Sequence, residues 1–71
     1  MSRYDMDVRL ARLGRKQVDV ISELRNRGFR VTPAEFSFFK NGRVTTPKSE
    51  TVLKAADEIV SQWEAERDIK R

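Results

Sequence analysis

Apolar residues recur along this chain at helical spacing, in four blocks separated by glycines or by a Thr-Pro pair. In residues 5–13, Met6, Leu10 and Leu13 fall at i, i+4 and i+7, with Val8 and Ala11 beside them. Asp5 and Asp7 suit the amino end of such a helix, Arg12 its carboxy end, and Gly14 its stop. Residues 16–27 form the second block, with Val18, Val20, Ile21 and Leu24 as its stripe. Its start is weakly capped, because Arg15 and Lys16 stand where Ser or Thr is preferred. Gly28 ends it, and Phe29 in the turn is a core candidate.

The third block, residues 33–41, carries the densest signals. Thr32 caps it and Glu35 completes a capping box three residues on. Pro33 takes the first helical position, where its missing N–H costs nothing. Val31 precedes the cap as a hydrophobic staple, and Gly42 follows as the stop. Phe36 and Phe39, three apart, share the inner face; Pro33, Ala34, Ser37 and Phe38 point elsewhere. Thr46-Pro47 repeats the start signal, although Glu50 falls four residues after the cap and leaves that box imperfect. In residues 47–66, Val52, Leu53, Ala56, Ile59, Val60 and Trp63 make one stripe, with Lys48, Lys54, Asp57, Glu58 and Glu64 on the outer face. Residues 68–71 are expected to fray. The expected fold is a small, all-α, four-helix domain with a long C-terminal helix.

Seventy-one residues hold one domain, spanning 1–71. Such a domain buries about 60% of its unfolded surface, so its core is small. The chain has no Cys and no His, which removes disulfides, thiol nucleophiles and the usual zinc ligands. Neither a cofactor nor a metal is expected. The acid pairs Asp5/Asp7 and Asp57/Glu58 sit on polar faces without an apolar pocket, so no catalytic set emerges. No apolar run approaches the roughly 20 residues that cross a bilayer, and the amino end lacks a signal-peptide core. A cytoplasmic location without membrane contact is therefore expected.

Charge is uneven. Residues 1–46 hold ten Lys/Arg against five acids, a net +5, whereas residues 47–71 hold five against six, a net −1. The basic excess surrounds the third helix and is richer in Arg than in Lys, which favours phosphate contact. A solvated basic surface with no such partner has the same composition.

Two amphipathic helices followed by a capped helix ending in Asn41-Gly42-Arg43 resemble the phage repressor/Cro (XRE-like) helix-turn-helix family. The resemblance runs over roughly residues 6–60 and is strongest in 31–43. It implies a lambda-repressor-like fold and a transcriptional regulator of phage, mobile-element or bacterial type, which binds double-stranded DNA as a homodimer. Gln17 matches the family's phosphate-touching Gln at the start of helix 2. Arg15, Lys16, Asn41 and Arg43 would join it on phosphates, with Arg30 and Lys40 flanking. Pro33, Ala34 and Phe38 fall on the base-contacting positions, with Ser37 close by.

Two departures matter. From Gln17 to the Thr32 cap is fifteen residues, where the family uses about ten, so either helix 2 or the turn is longer. The base-facing positions offer apolar contact and one hydroxyl instead of bidentate amides or guanidinium groups. Trp63 either covers its own core or, with Ile59, meets a second copy; two-fold repressors and the small core favour the latter. The same scaffold would also serve as a protein-binding module anchored on the Phe38 face, or as an architectural recombination factor.

Overall fold

The computed structural model describes residues 5–69, an all-α arrangement of four helices: α1 Met6–Leu13, α2 Gln17–Asn26, α3 Pro33–Lys40 and α4 Pro47–Ile69. At about 1.5 Å per residue α4 is roughly 34 Å long, close to the 38 Å long axis of the molecule. It is the common wall: each of the other three helices packs against it, and α2 also packs against α3.

The core is the sum of the inner stripes. Met6 and Leu10 come from α1, Val20, Ile21 and Leu24 from α2, and Phe36 and Phe39 from α3. Val52, Leu53, Ala56, Ile59 and Val60 come from α4. Leu13, Phe29, Val44 and Trp63 pack partly buried around them. Val8 and Val18, placed by the sequence with the apolar stripes, are instead 50% and 60% exposed. Each is two positions from a buried neighbour, Val8 from Met6 and Leu10 and Val18 from Val20. Two positions are about 200° of helical rotation, so both project away from the core.

Local signals place the helix starts. Thr32 Oγ1 accepts the Glu35 backbone N–H at 3.1 Å, and Glu35 Oε1 accepts the Thr32 N–H at 3.2 Å, a complete capping box. At α2 a lysine side chain has no acceptor to offer, but Asp19 Oδ2 accepts the Lys16 N–H at 2.9 Å and closes half a box. At α4 the box expected to be imperfect is complete, with Ser49 in place of Glu50. Ser49 Oγ accepts the Thr46 N–H at 2.8 Å, and Thr46 Oγ1 accepts the Ser49 N–H at 3.1 Å. Ser49 is fully buried, and its hydroxyl also donates to the Thr46 carbonyl. α1 starts at Met6, one residue later than expected, with Asp5 in the left-handed region at φ 51° and no side-chain cap.

α4 continues as helix to Ile69, past the expected end at 66. Lys70 and Arg71, the rest of the segment expected to fray, lie outside the described residues, as does Tyr4, a candidate for the core. Asp57 and Glu64, assigned to the outer face of α4, turn instead toward α1. They clamp Arg9: Nη1 lies 2.5 Å from Asp57 Oδ1, and Nη2 lies 2.7 Å from Glu64 Oε1 and 2.9 Å from Ser61 Oγ. The hydrogen bond to Glu64, with help from Asp57, raises the Arg9 pKa against the opposing effect of burial. The clamp pins α1 along α4 across two helical turns.

Phe36 and Phe39 are 0% and 4% exposed. Truncating either to Ala is expected to cost about 3–5 kcal/mol, comparable with the whole stability of so small a domain. Urea or thermal unfolding of the two variants measures this. A Phe39→Ala protein that melts within about a degree of the parent would refute the packing described for α3.

Candidate nucleic-acid interface

The amino ends of α2 and α3 lie side by side. Gln17 Nε2 donates to the Pro33 carbonyl at 3.3 Å, a contact between the first residues of the two helices. Each end contributes the positive pole of a helix dipole. The start of α3 is also tied to the start of α4, where Lys48 Nζ meets Glu35 Oε2 at 3.2 Å. Glu35 thus holds its own cap and a neighbouring helix. Its pKa is lowered, chiefly by the Thr32 backbone N–H and next by Lys48.

With Phe36 and Phe39 turned inward, α3 shows its other side. Pro33 and Ala34 are exposed, Ser37 is half-buried, and Phe38 is 44% exposed. Beyond α3 the chain turns through Gly42 at φ 75°, a left-handed conformation that favours glycine. The Arg43 N–H donates to the Phe38 carbonyl at 3.0 Å, which closes the turn. Asn41 and Arg43 stand exposed there.

The spacing between Gln17 and Thr32 is resolved in favour of the turn. α2 ends at Asn26, and residues 27–32 form the connection. Gly28, at φ 94°, donates to the Arg25 carbonyl, and the Phe29 N–H reaches the Leu24 carbonyl at 2.9 Å. Val31, 2% exposed, anchors the far end beside buried Phe36, four residues into the segment it staples. Alongside the connection runs an open groove of about 760 Å³, lined by Arg25, Phe29, Arg30, Thr32 and Lys48 among others. A second groove, of about 350 Å³, lies between α2 and the start of α3, lined by Val18, Ile21, Arg25 and Pro33 among others.

The candidate residues divide into two groups. Lys16, Gln17, Pro33 and Ala34 come together at the paired helix ends. Ser37, Phe38, Asn41 and Arg43 follow along α3 and its exit, and Arg30 flanks the entry. Four others are drawn elsewhere. Lys40 extends to Asp7, 2.5 Å away, with its side chain 12% exposed, so its charge is neutralised against α1. The Arg15 guanidinium lies over the Trp63 ring, 4.4 Å from its centroid, away from α3. Ile59, expected at a dimer contact, is 2% exposed and spent on this chain's own core, while Trp63 is half-buried against that core. Sequence reasoning passed over Arg25, which lines both grooves; its place on the polar face of helix 2 was the available signal.

Cations without an ion pair occur both near the α2–α3 face and elsewhere. Among the described residues, Lys16, Arg25, Arg30 and Arg43 make no ion pair, and Arg12, Arg15, Lys54 and Arg67 also make none. Arg9, Lys40 and Lys48 each have a carboxylate within 3.2 Å, and Arg27 has one at 3.8 Å. Comparison with protein-family models, curated proteins and solved structures finds no match to this chain.

The capping carboxylate generates a pH test. Because the folded pKa of Glu35 is lowered, its contribution is fully present above the unfolded carboxylate value, about 4.3, and is lost as pH falls through the folded value. Glu35→Gln keeps the shape of the box without the charge. Its melting temperature is expected to lie below the parent's at pH 7 and to converge on it in acid. Thermal melts over that range check this, and a gap that stays constant with pH would refute it.

Proposed function

We propose that this chain is a sequence-specific DNA-binding regulator of the phage repressor/Cro type, acting in the cytoplasm as a homodimer. α3 is the recognition helix. The observation that carries this reading is the pairing of the α2 and α3 amino ends through Gln17 and Pro33, with Lys16, Arg25 and Arg30 close by and, among the described residues, in no ion pair. In such an arrangement the paired ends straddle the edge of the major groove. Lys16, Gln17, Arg30, Asn41 and Arg43 meet phosphates and set the register. Ala34, Ser37 and Phe38 face the base edges. An apolar pair and one hydroxyl read shape and thymine methyls better than they read guanine. Affinity then comes largely from counterion release.

A second reading is favoured by Phe38. A large aromatic side chain that is 44% exposed beside Ala34 is also the anchor a protein partner would use.

Gel shifts with the DNA flanking its own gene test the first reading. Neutralising about 6–10 phosphates, a dimer is expected to lose on the order of 10³–10⁵ in affinity between about 50 and 200 mM salt. A flat salt response, or no binding at low salt, refutes it. Phe38→Ala separates the two readings. On the DNA reading the variant keeps its melting temperature and loses about 1–3 kcal/mol of specific binding, while non-specific binding barely moves. Arg43→Ala is expected to weaken specific and non-specific binding alike. If Phe38→Ala retains all DNA binding, recognition through the α3 face is wrong and the protein-binding reading takes its place.

A further inference from the structure

The carboxy end of α1 and the last third of α4 enclose an open groove of about 530 Å³, lined by Arg12, Leu13, Arg15, Trp63, Glu66 and Arg67 among others. The Arg15 guanidinium lies over the Trp63 ring. An Arg67 guanidinium nitrogen donates to the carbonyl of Arg12, across the seam between the two helices. Among the described residues, three guanidinium groups therefore line a groove whose lining holds one carboxylate, Glu66. Glu64, two residues earlier, is turned to Arg9. Stacking on the indole holds the face of the Arg15 guanidinium and leaves its in-plane N–H groups free to donate, a fork that matches a phosphate.

Two kinds of partner would cover this groove, a second copy of the chain or an anionic polymer. A two-fold interface sets the same patch against itself. Here it would bring three guanidinium groups of one copy against three of the other, with one Glu66 from each to offset them. Like charges in that number oppose pairing, and a row of phosphates does not. In the chain, Arg15 of the groove directly precedes Lys16 and Gln17 at the start of α2, so the groove and the proposed DNA face are joined by one short turn.

We infer that the Arg12–Arg15–Arg67 groove is a second phosphate site, which holds the backbone of the same duplex where it runs on beyond the α3 contact. The inference rests on the DNA reading above. Phosphate contacts carry no sequence information, so a duplex of arbitrary sequence and about 20 base pairs is a sufficient probe at about 50–200 mM salt. Removing two charges per protomer in the double variant Arg12→Gln/Arg67→Gln is expected to lower the salt slope by about 2 for each protomer bound, about 4 for the dimer, so the affinity lost across that range shrinks about tenfold per protomer. Lys54→Gln, which removes an exposed cation on α4 outside the groove, is expected to leave the slope unchanged. Trp63 is the sole tryptophan, and in the parent its fluorescence is expected to change when duplex is added.

Far-UV circular dichroism establishes that the double variant is folded, and the parent's Trp63 response stands without any substitution. An unchanged slope in the folded double variant, or a Trp63 signal indifferent to DNA, overturns the second site and leaves α3 recognition standing. A Trp63 signal that tracks protein concentration without DNA, together with a dimer in sedimentation, makes the groove a subunit interface and also overturns it. If the parent binds no duplex at any salt, the DNA reading fails and takes the inference with it.

Discussion

Burial of Phe36 and Phe39 in the core shared with α4 is the constraint on which the rest depends. α3 has only eight residues, too few to persist alone in water, so it exists because one side of it is packed. Once those two rings are inside, the helix has no rotational freedom left. Pro33, Ala34, Ser37 and Phe38 are then outside by geometry. The Thr32–Glu35 box, the Val31 staple and the Glu35–Lys48 pair set where the helix starts and how it meets its neighbours. A change of register by a single residue would bury Phe38 or expose Phe39, at a cost comparable with the stability of the whole domain.

Electrostatics are arranged around the same framework. The long clamp from Arg9 to Asp57, Ser61 and Glu64 and the shorter link from Lys40 to Asp7 consume cations where helices meet. These contacts fix α1 against α4 and against the end of α3. They also sort the basic excess, because charge used at the seams is removed from the outer field. Among the described residues, the cations left without a carboxylate are Lys54 on α4 and others at helix ends and in the connection between α2 and α3.

Most of the fold was legible in the sequence because most of its signals are local. The four helices, the box at Thr32, the stop at Gly42 and the inward Phe36/Phe39 pair all follow from spacings of three or four residues. The box at α4 was misread because Glu50 was the obvious acid, whereas the buried Ser49 hydroxyl sits one position earlier, at the right distance. Val18 was misplaced because an apolar residue near a stripe looks like part of it until the stripe's centre is known. The partners of Arg9, Lys40 and Arg15 lie 33 to 55 positions away in the chain. No local pattern announces them, and they decide which basic side chains are left for a ligand. Ile59 illustrates the same limit, since its stripe position was legible but whether a second chain or its own core covered it was not.

The capped and stopped α3 has an evolutionary consequence. Most of what builds this helix resides in Val31, Thr32, Pro33, Glu35, Phe36, Phe39 and Gly42, and Ala34, Ser37 and Phe38 are not part of the buried core. Positions 34, 37 and 38 are therefore free to change while the fold is kept. The chemistry of this face can be altered by a few codon changes, without the compensating substitutions that a buried site demands.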